Sequence, residues 1–516
     1  MRQQLRQLSG DTAIYGVATI VQRFLSFLLT PFYTHVLTRA EVGIQATVFV
    51  MIAFVMIVAN AGMEAAYFRY HSAAESNDER RGVYWNALLI NLIVAAVIGI
   101  IIVLFPAAIN RISFLDLPPD YFHLIRMAGA IIFLDSAATV TMALLRMSRR
   151  PKMFGGIKII TILVNVGMNI LLVAYLRMGL KGVFIAGIVQ SLVQLLLTLP
   201  LVARMLPVVF SRQTGEKLLR FGVPTIASGI AMIALQGIDR PIMKQLTSDD
   251  IVGLYSATYR LGIPMMMFVS MFEFAWRPFF LQQAKKPNAK HLYARIFTYF
   301  NVAAALLFLA ISFYIVDIVA SPLPFTHGRS IIPPNYWSGL AIVPIILAAY
   351  AFNGWYTNFI VGIYIEKKTK ALPWITGIGA GIEALLCFLL IPSIGIYGGA
   401  WGTFAAYVVM AVVLYRYVQR YYRIDYEWGR VVKVFIGVIA LYGVNMALFR
   451  FDDRSLTAAL VRLGLLAAFP AWLFASGFFK PEERREFGRI ISRFRRTRTA
   501  PEPPSSDLSP DNPPRL

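Results

Sequence analysis

Apolar residues follow one another in runs of about 20 or more along most of the chain, and short polar connections separate these runs. One such run is long enough to cross a bilayer as a helix. In lipid, only helices and closed barrels satisfy every backbone polar group, and the sequence lacks the alternating strands of ~10 residues that a barrel requires. We therefore predict an all-α polytopic membrane protein with about fourteen transmembrane helices. The predicted segments are residues 12–37, 42–69, 83–109, 121–147, 153–176, 181–204, 217–243, 250–280, 295–320, 337–364, 371–392, 396–418, 430–449 and 456–478.

The composition agrees with this prediction. Of 516 residues, 58% are apolar and only 15% are charged, whereas soluble domains are roughly 45–50% apolar and about 25% charged. These values exclude an ordinary soluble enzyme, a disordered chain and a fibrous protein. The single cysteine, Cys387, excludes an intrachain disulfide, and the five histidines have no metal-binding spacing. We expect no metal and no cofactor.

Lysine and arginine residues indicate the orientation in the membrane, because cytoplasmic loops are enriched in them. With the N-terminus inside, the inner loops carry 24 of these residues before the C-terminal tail, and the outer loops carry eight. We therefore predict a multi-pass protein of the cytoplasmic (inner) membrane with both termini in the cytoplasm. The same asymmetry explains the net charge of +22 without nucleic acid as a partner.

The tail, residues 481–516, has two parts. Its first part spaces Phe487, Ile490, Ile491 and Phe494 as on one face of a helix, with arginines around them. This pattern predicts a basic amphipathic helix on the anionic lipids of the inner leaflet, although a solvated basic helix has a similar composition. Residues 500–516 contain six prolines and are predicted to be disordered.

An internal repeat divides the transmembrane part of the chain. The matching pairs are residues 15–20 with 221–226, 38–43 with 247–253, and Gly179 and Gly182 with Gly395 and Gly398. Each repeat contains six predicted helices, so both have the same orientation. Such repeats are related by an axis along the membrane normal, with a site between them near the midplane.

The repeat predicts four parts. They are an N-terminal six-helix lobe (1–206), a C-terminal six-helix lobe (207–425), two further transmembrane helices (426–480) and the cytoplasmic tail (481–516).

Ionisable residues inside predicted helices are costly and mark candidate sites. Arg23 and Arg260 lie about 15 Å from a helix end, near the bilayer midplane, and one falls in each lobe. Guanidinium groups bind phosphate and pyrophosphate oxygens in pairs of hydrogen bonds. We predict that both arginines bind an anionic head group, although each alternatively pairs with a carboxylate and only fixes helix packing.

Further charges extend this candidate site. Two more candidate head-group arginines, Arg240 and Arg277, are accompanied by Asp239 and Glu273, and such pairs also neutralise themselves. The carboxylates with a candidate coupling or charge-pairing role are Asp135, Glu383, Asp239, Glu273 and Glu64. A buried carboxyl can carry a proton or bind Na⁺, so transport coupled to H⁺ or Na⁺ is a further expectation.

The chain resembles Wzx-type polysaccharide flippases, in the superfamily that also contains MATE multidrug exporters and lipid II flippases. The resemblance covers residues 8–478. Its passages are Arg23 to Pro31 continuing through Leu37–Gly43, then Asp239 with Val252–Leu261 and Pro278, and the Gly179/Gly182 and Gly395/Gly398 turns. It implies a V-shaped fold of two lobes, with two extra C-terminal helices. It also implies that a polyprenyl-pyrophosphate-linked oligosaccharide is moved to the outer leaflet by alternating access, for a surface polymer such as O-antigen, capsule or exopolysaccharide.

Two departures narrow this resemblance. Lipid II flippases carry Arg-Asp where this chain has Leu29-Thr30, which argues against lipid II as the substrate. Multidrug exporters of the superfamily usually have twelve helices rather than fourteen.

Two other functions are alternatives to this one. A MATE-type exporter of drugs or small cations would require an acidic cavity, whereas the midplane charges here include arginines. A polyprenyl-dependent glycosyltransferase or polymerase would require a sizeable outer loop, whereas the longest outer connections are residues 110–120 and 321–336. We therefore expect a transporter and not an enzyme. Its expected partners are the lipid-linked glycan, membrane lipids, and glycosyltransferases or a polymerase of the same polysaccharide.

Overall fold

The computed structural model describes residues 21, 24–25, 27–113, 115–322, 328–481 and 483. Over these residues the chain is a bundle of helices, with one isolated β-bridge between Pro322 and Ser330. The first helix, α1, is described over residues 27–36. The others are α2 (Arg39–Ala59), α3 (Met63–Ala73), α4 (Asn77–Leu104), α5 (Pro106–Ile112), α6 (Phe122–Met147), α7 (Pro151–Asn169), α8 (Gly179–Ala203), α9 (Arg212–Gly237), α10 (Asp239–Leu246), α11 (Asp249–Tyr259), α12 (Ile263–Gln283), α13 (Ala289–Ala320), α14 (Val343–Phe359), α15 (Val361–Ile365), α16 (Leu372–Ile394), α17 (Ile396–Gln419), α18 (Trp428–Leu448) and α19 (Leu456–Ala475).

Twelve helices in this part of the chain are long and apolar enough to cross a membrane. They coincide with twelve of the fourteen predicted segments, and the prediction of an all-α membrane protein is confirmed. The remaining segments are 12–37, of which residues 12–20, 22, 23 and 26 lie outside the described residues, and 250–280, which is divided between α11 and α12. The predicted amphipathic helix of the tail and the proline-rich segment 500–516 also lie outside the described residues.

The break between α11 and α12 has a local cause. One turn of 3₁₀ helix, Arg260–Gly262, separates the two helices. Pro264 has no N–H to donate to the carbonyl of Arg260, four residues earlier. That carbonyl accepts the N–H of Ile263 instead. The chain therefore bends at the predicted midplane arginine.

Each half of the molecule has its own apolar core. In the first half, a cluster containing Ile132 and Phe184 joins α2, α6 and α8. A larger cluster in the second half contains Phe297 and extends from α9 to α18. Phe27 and Phe54 of the first half pack against the edge of the second cluster. Each half is thus held together internally, and the halves contact each other where α2 packs against α11 and where α9 packs against α2, α3 and α4.

The two C-terminal helices are attached by a buried charge that the sequence analysis did not identify. Arg462 of α19 is 1% exposed. It forms an ion pair with Asp317 of α13 at 3.1 Å and donates to Asn445 of α18 at 3.2 Å. A charge in apolar surroundings requires such partners, so Arg462 fixes α18 and α19 against α13.

A second ionic cluster joins the start of the tail to α13 and α18. Arg430 donates to Glu427 and to Glu483, each at 2.8 Å. Lys480 also binds Glu427, at 2.5 Å, and Arg295 binds Glu483 at 3.0 Å. Both carboxylates are mostly buried and accept several charged hydrogen bonds. The start of the tail is therefore held at the N-terminal ends of α13 and α18.

This cluster predicts a loss of stability in acid. Burial would raise the pKa of Glu427 and Glu483, but hydrogen bonds from Lys480 and the charge of Arg430 outweigh burial, and both pKa values lie below the ordinary range. A depressed carboxyl pKa stabilises the folded state above the unfolded pKa, and the contribution disappears as the pH falls through the folded pKa. We expect the melting temperature of the wild type to decrease as the pH is lowered below about 4.5.

The Glu483→Gln variant removes part of this contribution at neutral pH, by roughly 1–3 kcal/mol, and should show a weaker acid dependence. Glu216→Gln is the control, because its ion pair with Arg212 is exposed and such pairs contribute at most about 1 kcal/mol. If the melting temperatures of the wild type, Glu483→Gln and Glu216→Gln decreased equally as the pH is lowered, the acid dependence could not be assigned to this ionic cluster.

Candidate functional site

A cavity of about 590 Å³ lies in the second half of the molecule, between α9, α12, α14, α16 and α17. Three of the four predicted head-group arginines line it, Arg240, Arg260 and Arg277, and so does Glu273. The fourth, Arg23, lies outside the described residues. The sequence predicted a site between the lobes, whereas the side chains lining this cavity all belong to the second half.

Arg260 carries a charge that no described carboxylate neutralises by an ion pair. It differs in this from Arg240 and Arg277, which are paired. The bend between α11 and α12 directs Arg260 into the cavity. Arg260 is therefore placed to attract an anion.

Arg240 is held in place by a buried network. Its Nη1 lies 2.9 Å from Oδ1 of Asp239, which is 1% exposed, and 3.0 Å from the carbonyl oxygen of Gln236. The hydroxyl of Tyr255 donates to the other oxygen of Asp239 at 2.6 Å. The guanidinium also lies over the ring of Tyr259, 4.5 Å from its centre. These contacts fix Arg240 at the wall of the cavity.

Glu383 of α16 lies behind this wall and is 1% exposed. Thr403 donates to its Oε1 at 2.8 Å. Its Oε2 is buried without a hydrogen-bond partner among the described residues. Glu383 interacts electrostatically with Asp239 and Arg240. The carboxyl groups of Glu383 and Asp239 thus interact with a single guanidinium group, that of Arg240. If both carboxyl groups were ionised, one negative charge would not be neutralised.

Glu273 and Arg277 lie near the other end of the cavity. They form an ion pair within α12, four residues apart, as their spacing predicted. Arg277 also lies 5.7 Å from the ring centre of Tyr364. Both side chains are partly exposed, so this pair remains accessible from the cavity.

The remaining predicted carboxylates, Glu64 and Asp135, lie in the first half and do not line the cavity. Glu64 forms an ion pair with Arg146 at 2.6 Å. Asp135 interacts electrostatically with Lys158 of α7, a residue that the sequence analysis missed. Lys158 also donates to Gln194 at 3.0 Å. A lone lysine inside the apolar segment 153–176 was the signal that could have identified it.

The two halves meet most closely where α2 crosses α11, at Gly43 and Gly253. A Cβ atom on Gly43 would collide with the backbone oxygen of Asp249, and one on Gly253 would collide with that of Arg39. The contacts are equivalent, because each glycine meets the residue four positions before the other. Both glycines belong to one pair of matching sequence segments, so the duplicated segments pack against each other.

Polar contacts surround this crossing. Arg39 forms an ion pair with Asp250 at 2.7 Å and donates to the carbonyl oxygen of Asn335 at 3.2 Å. His35 Nε2 donates to the carbonyl oxygen of Ser330 at 2.8 Å. Together, the glycine crossing and these bonds close one end of the molecule between the halves.

Three solved structures of membrane transporters share this fold. An inward-facing multidrug resistance MATE family transporter of the MOP superfamily has a TM-score of 0.61 and 14% identity, covering 80% of this chain and 96% of its own. The lipid II flippase MurJ in an inward closed conformation has a TM-score of 0.68 and 12% identity, with coverage of 90% and 100%. An outward-facing MATE transporter has a TM-score of 0.54 and 11% identity, with coverage of 83% and 98%. At these identities the likeness shows the fold alone.

Among curated proteins no sequence matches the chain. A family model does match it, over residues 8–283, which is more than half of its length. The matched region includes the glycine crossing, Arg240, Arg260 and the Glu273–Arg277 pair. The chain belongs to the family described as polysaccharide biosynthesis protein.

Proposed function

We propose that the protein moves a polyprenyl-pyrophosphate-linked oligosaccharide across the cytoplasmic membrane, from the inner to the outer leaflet. Membership of a polysaccharide biosynthesis family supports the pathway, and a fold shared with a lipid II flippase supports the movement of a lipid-linked precursor. The observation that carries the proposal is the charge of Arg260, which forms no ion pair with a carboxylate among the described residues, in a cavity that Arg240 and Arg277 also line.

The chemistry of the cavity suits a pyrophosphate. Guanidinium groups form pairs of parallel hydrogen bonds with phosphate oxygens and remain charged at every physiological pH. Arg240 and Arg277 are compensated by their own carboxylates, so they contribute hydrogen bonds without adding net charge. Arg260 supplies the net attraction. Tyrosines on the cavity wall, among them Tyr350 and Tyr407, provide surfaces on which sugar rings pack.

Movement requires the cavity to open alternately to each side. The basic loops place the glycine crossing at the outer surface, because cytoplasmic loops carry most of the lysine and arginine. The closed end therefore faces outward. Outward opening requires separation of Gly43 from Gly253 and rupture of the Arg39–Asp250 ion pair.

Glu383 and Asp239 are our candidates for ion coupling. One guanidinium cannot neutralise two ionised carboxylates, and a bound proton or Na⁺ removes the excess charge. We favour a proton on Glu383, because its Oε2 has no partner in the described structure and a protonated oxygen requires fewer ligands than Na⁺. Arg240 interacts with Glu383 and also lines the cavity. Protonation of Glu383 would therefore change the electrostatic potential at the bound pyrophosphate.

The proposal gives the protein no catalytic step. Glycosyltransferases that build the lipid-linked glycan supply its substrate, and a polymerase or ligase at the outer surface consumes its product. Such enzymes are its expected partners, together with membrane lipids.

The topology has its own prediction. Reporter fusions after Arg150, Lys286 and Lys370 should be cytoplasmic, and fusions near Asp116 and Gly328 should be external. The measurement is reporter activity in whole cells, with a phosphatase that is active only outside. Consistent reversal at all five positions would overturn the orientation.

Reconstitution tests the function directly. Vesicles containing the purified protein should translocate a fluorescent polyprenyl-pyrophosphate oligosaccharide and should not translocate the same glycan on a neutral polyprenyl ether. Proton and Na⁺ gradients applied separately would distinguish the coupling ions. Equal translocation of both lipids would show that the pyrophosphate is not recognised.

A further inference from the structure

A second basic pocket lies outside the transport cavity, where α17 ends and the chain turns into α18. Its volume is about 600 Å³. The residues that line it include three arginines and three aromatic side chains: Arg416, Arg420, Arg423, Tyr415, Tyr426 and Trp428. Neither the family match nor the proposed transport mechanism gives these residues a role.

The walls of this pocket are fixed by hydrogen bonds and aromatic packing. Gln419 donates to the carbonyl oxygen of Ile424 at 2.7 Å and accepts its N–H at 3.0 Å, which holds the turn closed. The ring of Tyr426 is buried and lies 5.0 Å from that of Phe297. Trp428 Nε1 donates to the hydroxyl of Tyr415 at 3.3 Å. These contacts hold the walls of the pocket in place.

The charge of the pocket is only partly compensated. Arg416 and Arg420 are four residues apart at the end of α17, which places them on one side of its last turn, and Arg423 follows in the turn after the helix. Arg423 pairs with Asp425 at 3.1 Å. Within the described structure, no carboxylate forms an ion pair with Arg416 or Arg420. Two exposed guanidinium groups thus face the pocket without counter-charges.

The position of the pocket indicates its environment. Residues Ile396–Gln419 and Trp428–Leu448 are membrane-crossing segments, so the connection between them lies at the boundary of bilayer and water. Tryptophan and tyrosine are enriched at this depth, and basic loops are enriched on the cytoplasmic side. Lipid phosphates occupy the same level, and basic pockets beside transmembrane helices bind anionic head groups there.

We propose that this pocket binds a phosphoryl anion, and that the anion is the head group of an anionic phospholipid of the inner leaflet, such as phosphatidylglycerol. Arg416 and Arg420 bind the phosphate, and the aromatic wall packs against the glycerol backbone. The same helix, α17, carries Tyr407 and Met410 into the transport cavity, so the lipid holds the inner end of a helix that forms the transport site. This site is independent of the proposed substrate.

The experiment uses the full chain purified in neutral detergent. Short-chain phosphatidylglycerol, phosphatidylcholine and inorganic phosphate are titrated separately, and binding is followed by native mass spectrometry and by the melting temperature. We expect saturable binding of phosphatidylglycerol, with the affinity at least about tenfold lower in Arg416→Gln/Arg420→Gln because charged hydrogen bonds to phosphate are lost. The Arg416→Lys/Arg420→Lys variant, which keeps the charges, should be intermediate.

The matched control is Lys285→Gln/Lys286→Gln, which removes two exposed basic charges from another predicted inner loop and should leave the affinity unchanged. Equal weakening in the control would show diffuse electrostatic attraction and overturn the site. Unchanged affinity in the arginine variant would also overturn it. Inorganic phosphate binding as tightly as the lipid would identify a soluble anion and overturn the assignment to a membrane lipid.

Discussion

Replacing Arg260 with alanine should nearly abolish translocation of the pyrophosphate-linked glycan while leaving the protein folded. Arg260 is the cavity arginine without a carboxylate partner in the described residues, so its removal takes away the net positive charge that attracts the head group. Loss of such a contact costs roughly 2–5 kcal/mol of binding, which corresponds to a reduction of about 30-fold or more at low substrate concentration. Arg260→Lys keeps the charge without the planar pair of donors and should retain partial transport. The measurement is initial rate per folded molecule in vesicles.

Arg462→Ala provides the contrast for this prediction. Arg462 is also buried in the membrane region, but its contacts are with Asp317 and Asn445, far along the chain from the cavity residues. Its removal takes a buried guanidinium away from the partly exposed carboxylate of Asp317 and from Asn445, so we expect a lower melting temperature with little change in transport per folded molecule. Arg260→Ala would contradict the proposed cationic site if it behaved in the same way, or if it transported at the wild-type rate. The sequence analysis makes the same prediction for Arg23→Ala.

The limits of the helices were largely readable from the sequence, because a bilayer imposes length and apolarity on every segment that crosses it. The bend at Arg260 was also accessible, since Pro264 removes a helical hydrogen bond. Three of the four arginines proposed for the head group line one cavity. Arg260 was predicted from its depth along a helix, and Arg240 and Arg277 were predicted as charges inside apolar segments, because costly charges in a membrane are placed where water or a ligand can reach them.

Contacts between segments that are distant in the chain could not be predicted from the sequence. Asp239 and Glu383 are 144 positions apart in the chain, counted from their residue numbers, and their proximity depends on how α10 packs against α16. The same applies to Arg462 with Asp317, and to Asp135 with Lys158. In each case the sequence displays a charge in an apolar segment, but the partner is determined by tertiary packing. A charged residue in an apolar segment can therefore be identified from the sequence as a candidate, but its interaction partner cannot.

The repeat carried more information than its use as a sign of duplication. The match of residues 38–43 with 247–253 includes Gly43 and Gly253, and these are the two glycines at which the halves cross. A segment kept in both copies because it contacts its own counterpart is typical of a self-complementary interface. The internal repeat by itself indicates two related lobes. It does not indicate which of the matching segments contact each other in the fold.

The glycine crossing leads to the second large effect: Gly253→Ala should stop the transport cycle by preventing closure of the outer end. The added methyl group would overlap the backbone oxygen of Arg39, and a backbone atom cannot rotate away as a side chain does. Overpacking of this kind costs about 1–3 kcal/mol or more. The cost applies only to the closed state, so the equilibrium shifts toward outward opening by about tenfold to a hundredfold. Gly43→Ala should act in the same way, because the two contacts are equivalent.

Two measurements separate a shifted equilibrium from misfolding. Transport of the labelled glycan should fall by at least about tenfold, and a cysteine introduced at Gln236, beside the cavity, should react faster with a membrane-impermeant thiol reagent added from outside. The single native cysteine, Cys387, is buried, so the background reaction is small. Gly377→Ala and Gly381→Ala are the matched controls, since a Cβ at either position meets no atom within 4 Å. These variants should transport normally. Normal transport by Gly253→Ala, with unchanged labelling at position 236, would show that the crossing does not close during the cycle and would remove the basis for assigning the outer gate to these helices.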